Sequence, residues 1–171
     1  MSTKTIVITR PSGQARQQIE MLNKAIAQSG SSASVDLISL PLLTIVPKDH
    51  EPLADHIASA LKDADLAIFV SPNAIESVMR LLERNWQGFS KQIIPVGVMG
   101  GSSRLALSHH GIGLEDAPTP VLMPQDNGQW DSEGLWQELQ KLDWDWSTKK
   151  IVLFKGEGGR ELLADTLKKA G

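Results

Sequence analysis

The amino-acid sequence predicts an α/β chain built on parallel β-sheet, and three observations lead to that prediction. Short runs rich in apolar and β-branched residues alternate along the chain with longer stretches whose apolar residues recur every three or four positions. The run at residues 66–70 (LAIFV) contains no polar residue, which is typical of a strand covered on both faces. Turns rich in glycine, serine or proline separate strand from helix. Regular alternation of strand and helix favours a parallel sheet with helical crossovers.

The first elements read as strand, helix, strand. Residues 5–9 (TIVIT) form a predicted strand that the turn at residues 10–13 breaks, and residues 35–40 form a second strand closed by Pro41. Between them a helix is predicted to run to about Gln28, because its apolar residues share one helical face: Ala15, Ile19, Leu22 and Ile26. Residues 40–47 (LPLLTIVP) are apolar and bounded by prolines, which predicts an extended connector that crosses to a second domain.

The later elements repeat the alternation. Ser71 and Pro72 form a helix start, with the serine as N-cap and the proline at the first helical position. Asp131 and Ser132 can cap a further helix. Beyond residue 50, strands are predicted at residues 66–70, 93–99, 120–123 and 151–154, each followed by a helix except the third, where a loop intervenes. The last helix ends at Gly171, where this architecture normally continues into another strand.

Composition and charge narrow the class of protein. A length of 171 residues suggests about one domain and is ample for a hydrophobic core. Contents of 41% hydrophobic and 22% charged residues exclude a disordered, collagenous or coiled-coil chain. The net charge is 17 − 20 = −3, so a general nucleic-acid binder is disfavoured. The chain has no Cys, which excludes disulfides, thiolate zinc sites and a cysteine nucleophile, and it has no Tyr.

Neither a leader nor a membrane span is predicted. Residues 1–10 form a short mixed strand, without the basic segment and long apolar run of a signal peptide. No run reaches the roughly 18 apolar residues that a membrane helix needs. We therefore expect a cytoplasmic protein that binds neither membrane nor nucleic acid.

Three turns that follow strands are candidate anion sites, because a helix start presents free N–H groups and a positive dipole end. The turns are residues 71–74 (SPNA), 100–103 (GGSS) and 156–160 (GEGGR). Carboxyl ends of parallel strands share one edge of a sheet, so the turns predict a neutral-to-positive cradle for carboxylates or phosphates. The alternative for each turn alone is helix capping or tight strand–helix packing. No P-loop is present, and the Rossmann fingerprint lacks its last glycine.

Other polar residues carry less information. Arg10, Lys155 and Arg160 adjoin strand ends and are candidates to pair with an anion, with plain surface charge as the alternative. Glu157 and Glu161 are expected to be solvated, and no acid–base pair stands out. No metal site is predicted from the four histidines, which are interpreted as surface residues: His50, His56, His109 and His110. Local packing explains Trp144 and Trp146 better than a stacking platform does.

Six motifs in a fixed order resemble the uroporphyrinogen-III synthase family. Each motif is weak, but together they extend over essentially the whole chain: ITRP with GQA at 8–15, LPLLTI at 40–45, FVSPNA at 69–74, GGSSRLAL with GI at 100–112, DSEGL at 131–135 and KGEGGRELL at 155–163. Four positions differ from the family pattern, with Val70 for Thr, Met99 for Val, Ser103 for Thr and Lys155 for Arg.

The resemblance implies two flavodoxin-like parallel-sheet domains joined by a two-stranded linker, with the active site in the cleft between them. Residues 1–38 would then be the opening β-α-β of domain one, residues 39–50 the crossing linker and residues 51–171 domain two without its last strand. Most of domain one would be missing. We expect the complete protein to be a monomer, and a true 171-residue product to be poorly soluble or dimeric because partner strands are absent.

The implied reaction cyclises hydroxymethylbilane, a linear tetrapyrrole, to uroporphyrinogen III with inversion of ring D and loss of water. Neither a metal nor an organic cofactor takes part. The proposed course passes through an azafulvene and a spiro intermediate, so the enzyme acts mainly by holding one conformation of a flexible polycarboxylate.

The implied substrate-binding residues follow strands or begin helices: Arg10, Ser71, Asn73, Gly100, Ser102, Ser103, Lys155, Gly156, Gly158 and Arg160. The family tyrosine suggested to protonate the leaving hydroxyl has no counterpart in this chain, so no catalytic residue is predicted. The alternative function is a non-catalytic α/β module that binds a small anionic ligand.

Overall fold

The chain forms two compact units, Met1–Pro47 and Lys48–Gly171. The computed structural model describes residues 3–30, 34–46, 51–83, 86, 92–125, 129–157 and 161–171. The boundary between the units falls within residues 39–50, the stretch interpreted as a linker, and the role of that stretch in joining two domains stays a prediction. Among the described residues, no helix has the length and apolar character needed to cross a membrane.

The first unit is a β-α-β motif. Strands β1 (Lys4–Ile8) and β2 (Val35–Ser39) pair in parallel, with Val7 opposite Ile38, and helix α1 (Ser12–Gln28) contacts β2. Ile8 and Ala15 are buried, whereas Val7 and Ile38 remain 49% and 48% exposed. The predicted order of elements is confirmed here, and the two-stranded sheet leaves apolar side chains open to solvent.

The second unit contains a four-stranded parallel sheet in the order β5-β4-β3-β6. Helices and strands alternate along the described part of this unit in the following order: α2 (Glu51–Lys62), β3 (Leu66–Phe69), α3 (Pro72–Leu82), β4 (Val96–Val98), α4 (Gly101–His109), β5 (Val121–Leu122), α5 (Ser132–Gln140), β6 (Ile151–Phe154) and α6 (Leu162–Ala170). The α/β class with parallel sheets is therefore confirmed.

The side chains of β3 alternate between two hydrophobic clusters, one on each face of the sheet. Ala67 and Phe69 face a cluster that includes α2, α3 and α4, and Leu66 and Ile68 face one that includes α5 and α6. All four residues of β3 have no exposed surface, as the unbroken apolar run predicts. Phe69 stacks on Phe154 with ring centroids 4.7 Å apart. The sheet is thus the middle layer of three.

Strands β4 and β5 are each shorter than predicted by more than one residue, and proline accounts for part of each difference. The strand expected at residues 93–99 begins only at Val96, because Pro95 has no N–H to donate to the sheet and Ile93 is 57% exposed. Pro120 likewise precedes β5. The carbonyl groups of both prolines still accept hydrogen bonds, Pro95 from Ala67 at 3.1 Å and Pro120 from Val96 at 2.9 Å.

Both predicted helix caps are present. The Ser71 hydroxyl accepts a hydrogen bond from the N–H of Ala74 at 3.2 Å, and Pro72 occupies the first helical position. The Asp131 carboxylate accepts one from the N–H of Gly134 at 2.9 Å. Helix α6 begins at Leu162, and its N-cap residue Glu161 makes no side-chain cap hydrogen bond. Trp144 and Trp146 lie with ring centroids 5.5 Å apart in local packing, as expected.

Candidate functional site

In the sheet of the second unit, the side on which successive strands are added reverses at β3. From β3 the chain adds β4 and then β5 on one side, and β6 returns to pair with β3 on the other. In open parallel sheets, ligands bind beyond the carboxyl ends of the strands at such a switch point. The three predicted turns follow β3, β4 and β6, which are adjacent strands, so the turns lie at the same edge.

In the turn after β3, Ser71 caps the start of α3. Ser71 is half-buried, and its oxygen accepts the N–H of Ala74 while its O–H remains able to donate. Asn73 is half-buried and makes an interaction within the chain. This turn therefore offers a rigid helix start, with the serine serving both as a cap and as a candidate donor.

The turn after β4 separates its two serines. Ser102 is exposed, whereas Ser103 is 4% exposed and its N–H donates to the carbonyl of Gly100 at 3.0 Å. A Cβ at Gly100 would lie 3.3 Å from the Cε3 atom of Trp130, and one at Gly101 would lie 3.7 Å from its Cζ3 atom. The backbone at Gly100 is extended and tolerates any residue, so this glycine matters because an indole ring lies against it.

Lys155, directly after β6, is paired with a carboxylate that sequence reasoning placed in solvent. The Lys155 ammonium donates a hydrogen bond to Glu161, whose side chain is 55% exposed. This hydrogen bond and the lysine's positive charge together lower the pKa of Glu161 from its ordinary value, and Lys168 adds a smaller electrostatic contribution. Glu161 is therefore ionised at neutral pH, and an anion must compete with it for Lys155.

The remaining predicted residues are Gly156, Gly158, Arg160 and Arg10. Gly156 is exposed, and a Cβ there would meet no atom within 4 Å. Gly158 and Arg160 lie outside the described residues. Arg10 is exposed and follows β1 in the other unit.

A pocket of about 300 Å³ opens at this edge, on the side of the sheet covered by α5 and α6. Its walls include Val70 and Met99, which follow β3 and β4, and Leu163 of α6. Trp130 and Lys155 also line it. The residues directly after β3, β4 and β6 thus border a common space. The predicted binding residues of the first two turns are not among those that line it: Ser71, Asn73, Gly100, Ser102 and Ser103.

The charge of this pocket differs from the expected neutral-to-positive cradle. Asp131 and Glu133, at the start of α5, line it together with Lys155, so carboxylates outnumber ammonium groups among its described residues. Sequence reasoning treated Asp131 only as a cap and did not consider Trp130. The available signal was an aromatic residue immediately before a cap at a strand-end loop, which by itself is a weak indication.

The described residues hold no group of three or more His, Asp or Glu side chains able to bind a metal ion. Of the histidines considered in the sequence, His110 lies 3.1 Å from the Glu76 carboxylate at the surface. His50 lies outside the described residues. The described side chains of this edge can offer hydrogen bonding, ion pairing and aromatic contact.

Comparison with known proteins places these features in a family. A family model described as "Uroporphyrinogen-III synthase HemD" matches residues 24–171. The uroporphyrinogen-III synthase of Escherichia coli (strain K12) is 30% identical over 173 aligned residues, which cover 98% of this chain and 60% of that protein. The chain thus spans about three fifths of the length of this curated relative. Because the family model covers most of the chain, including all three strand-end turns, the chain belongs to the uroporphyrinogen-III synthase family.

Proposed function

We propose that this protein takes part in tetrapyrrole biosynthesis by cyclising hydroxymethylbilane to uroporphyrinogen III, with inversion of ring D and loss of water. In this proposal it is a cytoplasmic hydro-lyase that needs no metal or organic cofactor. The observation that carries the proposal is the placement of three family motifs at the ends of the adjacent strands β4, β3 and β6. Family membership and the pocket at the same edge support it.

The proposed role of the site is to hold one conformation of the substrate. Hydroxymethylbilane carries many carboxylates, and the N-terminal end of α4 is suited to bind such a group because helix starts attract negative charge. At the start of α3, Pro72 has no N–H and the N–H of Ala74 already donates to Ser71, so Ser71 contributes through its hydroxyl. Ser71 and Ser102 can donate further hydrogen bonds, and Lys155 can exchange its internal carboxylate partner for one from the substrate. Fixing the two reacting ends in one geometry lowers the entropic part of the barrier to ring closure.

The decisive experiment is an isomer assay. Fresh hydroxymethylbilane is supplied to the protein, the products are oxidised, and uroporphyrins I and III are separated and quantified. We expect type III in excess of the spontaneous background, since unassisted closure gives the type I isomer. Type I alone, combined with measurable binding of polycarboxylates, would instead support the alternative of a non-catalytic anion-binding module.

The Ser71→Ala variant tests the hydroxyl contribution. We expect its rate of type III formation to fall by roughly tenfold, because one donor to the substrate is lost, and its stability to fall by about 1 kcal/mol, because the α3 cap is lost. Ser71→Thr keeps both the cap and the hydroxyl and should retain most activity. Equal type III rates for the alanine variant and the wild type, measured well below the unfolding temperature, would exclude the serine from binding.

A second variant separates the two serines of the α4 turn. Ser102→Ala changes an exposed hydroxyl and is expected to reduce type III formation, whereas Ser103→Ala alters a side chain that is 4% exposed. We therefore expect any effect of Ser103→Ala to appear first as a change in thermal unfolding. The reverse pattern would mean that the buried serine, and not the exposed one, reaches the substrate.

A further inference from the structure

Trp130 is an exposed aromatic residue that lines the pocket and lies against the start of α4. It is 53% exposed and lines the pocket. Its ring lies against the start of α4, so close that a methyl group on Gly100 would be 3.3 Å from Cε3. Because the glycines at positions 100 and 101 lack side chains, the indole packs against backbone on one side and remains open to solvent elsewhere.

The lining of this pocket matches a flat ring better than a bare anion. Met99, Leu153 and Leu163 provide further apolar lining of the pocket. Asp131 and Glu133 also line it and can accept hydrogen bonds, and a carboxylate or phosphate placed beside them would be repelled. A ring with apolar faces and an N–H at its edge can stack on Trp130 and donate to a carboxylate, while acidic substituents point toward Lys155.

We propose that Trp130 is a stacking platform for one pyrrole ring of the substrate, with the N–H of that ring directed to Asp131 or Glu133. The inference rests on the proposed function, because it takes the tetrapyrrole as the ligand. A volume of about 300 Å³ suits one substituted pyrrole and not the four-ring chain. The remaining rings therefore extend beyond this pocket along the strand-end edge.

Two neighbouring glycines provide a matched test of the position of Trp130. Alanine at Gly100 would place its methyl group 3.3 Å from the indole and force the ring to shift by a few tenths of an ångström, whereas alanine at Gly101 makes an ordinary contact at 3.7 Å. If Trp130 contacts the ligand, Gly100→Ala should weaken binding more than Gly101→Ala. In a Trp130→Ala background, the difference between the two variants should disappear.

The experiment measures the dissociation constants of two probes by calorimetry or ligand-observed NMR. One probe is a monopyrrole that carries one acetic and one propionic acid group, and the other is tricarballylate, a tricarboxylate without a ring. We expect Trp130→Ala to weaken monopyrrole binding by roughly tenfold and Trp130→Phe to weaken it by about threefold or less, since the phenyl ring still stacks. Tricarballylate binding should change by less than about twofold in both variants.

A control variant tests whether the loss of any exposed apolar side chain would weaken binding. Leu105→Ala truncates another exposed apolar side chain of this region, 60% exposed, and should leave both dissociation constants unchanged. Unaltered monopyrrole binding in folded Trp130→Ala, an equal loss for both probes, or no monopyrrole binding by the wild type would each overturn the inference. The isomer assay separates the two proposals. Type III formation together with Trp130-independent monopyrrole binding removes only the inference. Trp130-dependent binding without type III formation removes the proposed function and leaves Trp130 as a stacking site for a pyrrole.

Discussion

Gly134→Ala is expected to destabilise the larger unit by about 3 kcal/mol or more, the upper range for overpacking in a close-packed site. An added Cβ would overlap the carbonyl oxygen of Gln129 and lie 2.9 Å from its carbonyl carbon. Both atoms belong to the backbone, so a side-chain rotation cannot relieve the clash. Pro124, whose Cβ would be 3.3 Å away, closes another direction. The loop before α5 must therefore move or the helix must begin elsewhere.

The measurement is thermal or denaturant unfolding of the wild type and the variant. We expect the midpoint to fall by roughly 10 °C, from the usual relation between free energy and melting temperature. Gly101→Ala is the matched control, because it also adds a methyl group at a helix start in this unit but makes only an ordinary contact at 3.7 Å. A midpoint of Gly134→Ala within about 1 °C of that of the control would show that the loop yields easily and does not fix the pocket wall.

The same loop carries Trp130 and Asp131, so the effect reaches the candidate site. The N–H of Gly134 donates to the Asp131 carboxylate at 2.9 Å, and displacement of either residue breaks this cap. Glycine is therefore required at position 134 of the DSEGL motif because the Gln129 backbone approaches it closely. It positions residues that line the pocket without contacting a ligand itself.

Short segments of the sequence were sufficient to predict the strands and helices and their order along the chain. The run at residues 66–70 predicted a strand covered on both faces, and β3 is fully buried. Ser71 with Pro72 predicted a helix start, which forms with the expected cap. Such features depend on a few adjacent residues, and the alternation of elements then constrains the sheet to be parallel.

Features set by contacts between distant residues were not predictable. A residue larger than glycine at position 100 would press against Trp130, which is thirty positions later in the sequence. No periodic pattern in the sequence links the two positions. The Lys155–Glu161 pair joins residues six apart in the sequence, outside the spacings at which helix neighbours meet. The sequence located the strand-end edge, but tertiary contacts decided that its pocket contains carboxylates and an indole.

Substitution of Lys155 should weaken the binding of a polycarboxylate, and substitution of Glu161 should strengthen it. Lys155→Met keeps the apolar stem and removes the charge, and we expect it to weaken tricarballylate binding by roughly tenfold or more, the usual worth of a charge-assisted hydrogen bond. Glu161→Gln removes the carboxylate that competes for the ammonium. We expect that variant to bind tricarballylate several-fold more tightly, with the gain decreasing at high salt because exposed charges are screened.

Charge-matched controls distinguish this competition from a change in overall charge. Glu138→Gln removes the carboxylate of another surface pair, in which Lys141 lies 2.7 Å from Glu138, and it changes the net charge by the same amount. We expect Glu138→Gln to leave binding unchanged, and Lys155→Met combined with Glu161→Gln to show no tightening. Equal tightening in both glutamine variants would assign the effect to net charge and remove Lys155 from the site.

Substitution is a cleaner test of this competition than pH. The lowered pKa of Glu161 means that the pair persists at neutral and mildly acidic pH; its contribution to stability is present above the ordinary carboxyl pKa and is lost as the pH falls through the lowered value. The carboxylates of the ligand take up protons in the same range, so acid frees Lys155 and discharges its ligand together. Glu161→Gln frees the lysine at neutral pH while the ligand keeps its charge, so only the variant isolates the effect of the internal partner.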